Sequence, residues 1–368
     1  MKLLFVNLSG LRFTVATPDS EPLGGTESAI CYLARQLAQN GHQISLVAHR
    51  PDAAAHPLVM GVWHLPPVVL LSGEFVAAEQ FDAIIVSNAP VAGPSLRSMA
   101  PDSRILLWNH LAPDHPSLRD LALPEARDSF DAIVYVSHWQ KQATEQTFGF
   151  QKPAAVIGNG FAPAFENMFA SPADLLAAKE NRAAYMTTPF HGLHILLDAM
   201  KGLTTGTRLD LYSSMKVYQT TADDQYAPLY AYAAENPLIT QHGAVAQGEL
   251  AQRLKPVAFF TYPSTYAETF CIVALEALAA GMKVLTTATA ALPEILQNNA
   301  DYADVSVGKP EKLIADFRRM MEKNVAEFLG KPEAWAEERF AAMQEVNRTC
   351  MWAHRAKEWE RLLVASNQ

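Results

Sequence analysis

Cysteine is scarce in this chain. Cys31, Cys271 and Cys350 are the only three, and their scatter fits neither a zinc motif nor a disulfide framework. The expectation is a reduced, cytoplasmic setting. Positive charge is also in deficit, with a formal net charge of -9. That argues against a nucleic-acid partner and against more than peripheral contact with anionic lipid. No apolar run approaches the roughly 20 residues that span a bilayer. The opening MKLLFVNLSG has one lysine and a short apolar run without a small-residue cleavage site, so it reads as a strand rather than a leader. Short repeats, low-complexity tracts and the G-x-G-x-x-G dinucleotide fingerprint are absent.

What remains is the balance of a folded protein: 49% hydrophobic against 18% charged residues, too apolar for a disordered chain. The 368 residues suggest two domains at roughly 100–200 residues each. The first half alternates apolar runs with helical patterns. KLLFVNLS, QISLVAH, FDAIIVSN, RILLWNH, DAIVYVSH and AAVIGNG read as strands. TESAICYLARQLAQNG reads as a helix with Ile30, Leu33, Ala34, Leu37 and Ala38 on one face and Gly41 as its stop. After the proline-rich segment 160–174 the pattern restarts with RAAYMTT, RLDLYSS, VAFFTYPS and KVLTTAT as strands. HGLHILLDAMKGL, QGELAQRL and FCIVALEALAAG read as the helices between them. Continuous apolar strands separated by helices predict two doubly wound parallel α/β sheets, facing across a cleft with ligands at the C-terminal strand ends. The expected domains are 1–165 and 166–348, followed by a helical tail with Trp352, Trp359 and Leu362 as anchors.

Two stretches carry chemistry. PLGGTESA opens the first helix, with Gly24 and Gly25 allowing close backbone approach and Thr26 as the expected N-cap. Taken alone it reads equally as an anion site or as a capped turn. In YAETFCIVALEALAAG the helix is expected to begin near Thr269 or Phe270. Its first amides, at Phe270, Cys271 and Ile272, suit a phosphate. Glu276 lies inside an otherwise apolar helix, where an unpaired carboxylate costs several kcal/mol. Sugar hydroxyls would satisfy it, and Glu268 would face a transferred group. Glu268 by itself reads as well as an ordinary loop acid.

The pair Glu268 and Glu276 resembles the E-x7-E signature of retaining GT-B-fold glycosyltransferases, as in glycosyltransferase family 4 (group 1). YPSTYAETFCIVALEALAAGMKVLTTATAALPEIL is similar to that family throughout, and GGTE, VSHWQKQ, IGNGF and QHGAVAQGEL fall in the same order. The resemblance implies two Rossmann-like domains and transfer of a sugar from a nucleoside diphosphate sugar, a UDP-sugar before a GDP-sugar. The acceptor would be a sugar or lipid-linked hydroxyl, as in glycan, glycolipid or polysaccharide synthesis, with no metal required. It implies that Glu276 holds the ribose, that Glu268 contacts the donor sugar, and that His110 lies near that sugar. The 270–272 amides would hold the diphosphate, with Gly24 and Gly25 approaching from the other domain. The segment after about Arg348 would pack on the first domain.

Two departures from the family pattern stand out. The usual Arg and Lys of the loop 186–191 are replaced by Met186 and His191, leaving Thr187, Thr188 and a conditionally charged histidine for the diphosphate. Cys271 and Lys283 replace the usual glycine and proline. His115 and His138 read as polar or capping residues. The competing readings are a catalytically weak nucleotide-sugar-binding protein and a GT-B-fold sugar-nucleotide epimerase. A two-carboxylate hydrolase fits less well, because it needs its acids about 5–5.5 Å apart.

Overall fold

The computed structural model describes residues 1–51, 57–220, 225–305 and 309–365. It divides into two compact units: Met1–Pro18 with Gly24–Asn159 and Trp352–Gln368, and Asp19–Leu23 with Gly160–Met351.

In the first unit the strands are β1 (Lys2–Asn7), β2 (Gln43–Val47), β3 (Leu58–Val59), β4 (Val62–Leu65), β5 (Ala83–Ser87), β6 (Arg104–Asn109), β7 (Ala132–Tyr135) and β8 (Ala154–Val156). They form one sheet in the order β3-β4-β2-β1-β5-β6-β7-β8. Every pairing is parallel except β3 with β4. Strands β1 and β5 are buried on both faces, which is why they read as unbroken apolar runs. The β3–β4 hairpin was not foreseen: its strands are only two and four residues long, and Leu58 and Trp63 are exposed.

The helix Gly25–Gln39 follows β1. Its N-cap is Gly24, without a side-chain cap bond, so the expected cap Thr26 lies inside the first turn instead. The final helix, Trp352–Val364, packs on this unit. Trp359 meets Trp108 of β6 edge-on at 5.0 Å between ring centroids, and Trp352 lies 6.2 Å from Tyr32. Glu360 accepts hydrogen bonds from Asn40 Nδ2 at 2.7 Å and from His42 Nε2 at 3.1 Å. The expected anchor Leu362 is only half-buried, and its neighbour Leu363 fills the core.

The second unit holds β9 (Glu180–Tyr185), β10 (Arg208–Leu211), β11 (Ile239–Gln241), β12 (Val257–Tyr262), β13 (Lys283–Thr287) and β14 (Ala300–Ala303). The order is β11-β10-β9-β12-β13-β14, all parallel. The short outer strands β11 and β14 were missed because each offers only three or four residues with mixed polarity. Helices Pro310–Gly330 and Pro332–Cys350 cover the sheet, where Trp335 packs edge-on against Phe328 and Phe259.

The strand order of the second unit reverses between β9 and β12. That is the switch point at which the loops leaving adjacent strands diverge and open a crevice. The two loops nonetheless come into close contact. Gly192 has φ +95°, and a Cβ there would stand 2.1 Å from the Pro263 carbonyl oxygen. Only glycine fits both conditions. Gly192→Ala is therefore expected to destabilise the protein by about 2 kcal/mol or more, from left-handed strain plus displacement of the Pro263 loop. A urea midpoint indistinguishable from wild type would refute this.

Candidate functional site

The switch point of the second unit gathers most of the residues singled out in the sequence. Tyr262 ends β12 and is 1% exposed. Its hydroxyl donates to Glu268 Oε1 and lies 2.8 Å from His191 Nδ1. Thr187 Oγ1 is 3.0 Å from the same nitrogen, and Glu268 Oε1 is 3.4 Å from it. Thr187, His191, Tyr262 and Glu268 thus form one hydrogen-bonded group joining the loops after β9 and β12. Thr188 is buried beside it: its carbonyl accepts from Tyr185 Oη at 2.8 Å, and its Oγ1 has no partner among the described residues. Phe190 meets the His191 ring edge-on at 4.3 Å, and Tyr266 stacks on that ring at 5.1 Å. Met186 is buried in the core.

The helix behind this group runs Ile272–Ala279, with Cys271 as its N-cap and no side-chain cap bond. The expected start at Thr269 or Phe270 is therefore too early. Phe270 lies outside the helix, Cys271 is extended, and Ile272 and Val273 supply the first helical amides. Those amides point toward the helix's positive end and gain no capping side chain, a setting that suits an anion. Cys271 has φ -113°, which any residue adopts. Burial and the nearby Glu268 charge raise its thiol pKa far above the usual range, which disfavours the thiolate form.

Glu276 is 1% exposed between Leu275 and Ala277. It stands about 6 Å along the axis from Ile272, not the 9 Å that an earlier start implied. Its Oε1 takes one long hydrogen bond, 3.4 Å from the Ala162 amide, and its Oε2 has no partner among the described residues. A buried carboxyl in this state favours its neutral form, and burial lifts its pKa to about 8. Burial likewise raises Glu268 to about 7, against a lowering by the Tyr262 hydroxyl. His191 is pushed down to about 4 by burial. The conditional cation expected at position 191 is therefore a neutral imidazole at physiological pH.

The first unit holds the remaining candidates. Gly24 is buried, Gly25 is exposed, and neither takes a left-handed backbone. His110 follows β6 with its ring 4.5 Å from Trp108, and burial lowers its pKa to about 3. Its Nε2 donates to Asn159 Oδ1 at 3.3 Å, and the Asn159 carbonyl accepts from Arg355 Nε of the final helix at 3.2 Å. Asn159 lies in the quoted IGNGF segment but was not singled out. Tyr262 and Glu27 were also missed. Glu27 is buried in GGTE and takes a 3.4 Å bond from Asn7 Nδ2. Burial raises its pKa. A polar residue at the end of an apolar strand, or two places after a glycine pair, was the available signal. His115 accepts from the Ser117 amide at 3.2 Å, as a capping residue does.

Among the described residues no three His, Cys, Asp or Glu side chains converge to hold a metal ion, and no helix is long and apolar enough to cross a membrane. The Glycosyltransferase Family 4 model matches residues 23–165, and the Glycosyl transferases group 1 model matches residues 183–323. No curated protein matches the chain in sequence. Solved structures do. Sucrose-phosphate synthase from Thermosynechococcus elongatus is 17% identical over 99% of this chain and 100% of its own, with a TM-score of 0.72. Anabaena HepE in complex with UDP-glucose is 17% identical over 99% of this chain and 100% of its own, at 0.73. A Rickettsia africae glycosyltransferase is 15% identical over 100% of this chain and 99% of its own, at 0.72. At such identities these structures speak for the fold.

The raised acid at Glu276 has a consequence for the ligand-free protein. Its pKa is about 8 in the folded state against an ordinary 4.5. A raised folded pKa contributes stability that is full below the unfolded value and lost as pH rises through the folded one. Glu276→Gln keeps the shape and cannot ionise. It is expected to flatten the loss of stability between pH 5 and 8.5. At pH 8.5 the variant should gain on the order of 1–2 kcal/mol, after subtracting the cost of a poorly bonded buried amide. Urea unfolding at both pH values checks this, and parallel losses in the two proteins would count against it.

Proposed function

We propose, taking as premise that this chain is a GT-B-fold glycosyltransferase of the family 4 kind, that it transfers a hexosyl group from a nucleoside diphosphate sugar to a hydroxyl with retention of anomeric configuration. A UDP-sugar is the first choice of donor and a GDP-sugar the second. The observation that carries this reading is the pair of buried acids on either side of an uncapped helix start. Glu276 has an oxygen without a partner among the described residues, and a ribose diol supplies two hydroxyl donors to one carboxylate. The Ile272 and Val273 amides then meet the diphosphate, and Glu268 meets hydroxyls of the transferred sugar. Gly24, Gly25 and His110 keep, as part of the proposal, the roles that the resemblance gives them. The UDP-glucose held by HepE supports placing uridine donors first.

The chemistry asked of the protein is positioning and charge stabilisation. In a front-face substitution the glycosidic carbon–oxygen bond to the diphosphate breaks while the acceptor hydroxyl attacks from the same side. Its proton passes to the leaving phosphate oxygen. Orientation and preorganised donors carry most of the rate in such a step. The proposal assigns no step to a metal ion. The acceptor is a sugar or lipid-linked hydroxyl. A second reading, a nucleotide-sugar binder with weak turnover, draws on the neutral His191 where a cation would offset the leaving group.

A ligand-stabilisation screen of nucleoside diphosphates and their sugars tests the donor assignment. A true donor at 100 times its dissociation constant should add about 2.7 kcal/mol of stability, and Glu276→Ala should erase the gain. An equal gain in the variant would remove the ribose assignment. NMR of the product anomer decides retention, and binding without nucleoside diphosphate release across an acceptor panel would favour the binder.

A further inference from the structure

His191 occupies a position where relatives by resemblance carry a cation, yet its bonding is that of a hydroxyl receptor. Among the described residues every polar contact of its ring is made through Nδ1: Tyr262 Oη at 2.8 Å, Thr187 Oγ1 at 3.0 Å and Glu268 Oε1 at 3.4 Å. Tyr262 has one hydroxyl proton, and with Glu268 ionised, as at pH 8, it goes to that carboxylate. The 2.8 Å contact to His191 therefore needs its proton on Nδ1. A neutral imidazole protonated at Nδ1 carries a lone pair at Nε2. That lone pair repels phosphate oxygen and accepts from a hydroxyl. Phe190 and Tyr266, which flank the ring and are 37% and 44% exposed, offer aromatic faces suited to the C–H face of a pyranose.

We propose that Tyr262 is a positioning residue that ties Glu268 to His191, fixes His191 in the Nδ1–H tautomer, and makes His191 Nε2 a hydrogen-bond acceptor for a hydroxyl of the donor's hexose. The hydroxyl partner rests on the functional reading above, whereas the tautomer does not. A merely structural Tyr262 would fill space without setting the proton on a neighbouring ring.

The test uses the full chain with 15N-labelled histidine at pH 8, the His191 signal being identified by its loss in His191→Gln. The expected result is protonated Nδ1 and bare Nε2. A protonated Nε2 overturns the proposal. Tyr262→Phe, checked for wild-type circular dichroism, should give a mixture of tautomers, and an unchanged single tautomer removes the positioning role. Calorimetry then compares UDP with UDP-glucose and UDP-galactose. His191→Leu should weaken the better UDP-hexose about five- to tenfold, one hydrogen bond's worth, and leave UDP unchanged. Equal weakening of UDP and UDP-hexose would instead assign His191 to the phosphates. A wild type that binds none of the three overturns the donor reading and the hydroxyl partner with it, while the tautomer result still decides the role of Tyr262.

Discussion

The desolvation of two carboxyl groups is the constraint on which the second unit's site depends. A carboxylate moved into an apolar interior loses water that only hydrogen bonds or opposite charge replace. Glu276 has one long bond from the protein and an oxygen with no partner among the described residues. Glu268 has the Tyr262 hydroxyl and a neutral imidazole. Both acids consequently sit well above their ordinary pKa, at about 8 and about 7. The ligand-free fold tolerates them by allowing protonation. A ligand rich in hydroxyls removes the same penalty by supplying donors. The energetic strain at this site is thus of the kind that binding relieves, which is why buried, poorly satisfied acids mark function more often than stability.

The sheet topology places that strain where a ligand can reach it. Strands β9 and β12 are neighbours, but their following loops leave in opposite directions because the strand order reverses between them. Two constraints then fix the loops. Gly192 lets the first loop pass against the Pro263 carbonyl, and Tyr262, held at the end of a fully buried strand, anchors Glu268 and His191 together. A side chain on a buried strand end has little rotational freedom, so the carboxyl it bonds inherits that rigidity. The helix Ile272–Ala279 supplies the third element, with its amides at the same strand end.

Much of this was legible in the sequence. Strands buried on both faces are nearly unbroken apolar runs, and β1, β5, β6 and β12 were read from that. So was the oddity of Glu276, since an acid among Leu275, Ala277 and Leu278 breaks its own helix's pattern. The outer strands β3, β11 and β14 were illegible because two to four residues are too few to show a period. The helix start at Ile272 was misplaced because Phe270 and Cys271 continue the apolar stretch, and only backbone geometry reveals that Cys271 is extended. Tyr262 escaped notice for a related reason. At the end of an apolar strand a tyrosine reads as packing, and its hydroxyl gains meaning only when the loop folds Glu268 back onto it. The neutrality of His191 depends on its burial in the folded chain, which no spacing rule encodes.

The absence of a cation in these loops bears on what the site can do. Neither the loop 186–192 nor the loop 263–271 contains lysine or arginine, while a departing diphosphate gains negative charge. Neutral donors contribute net about 0.5–1.5 kcal/mol each, and charge-assisted bonds roughly twice that. On the proposed reading, amides and threonine hydroxyls must therefore act in number, and the acids must not add repulsion. Burial limits that repulsion, since in the ligand-free protein it raises the pKa of both acids, and the hydroxyl donors of the sugar and ribose would screen whatever charge they carry. The loss of the basic pair and the burial of Glu268 and Glu276 are then parts of one electrostatic arrangement, in which charge is removed from both sides rather than balanced across them.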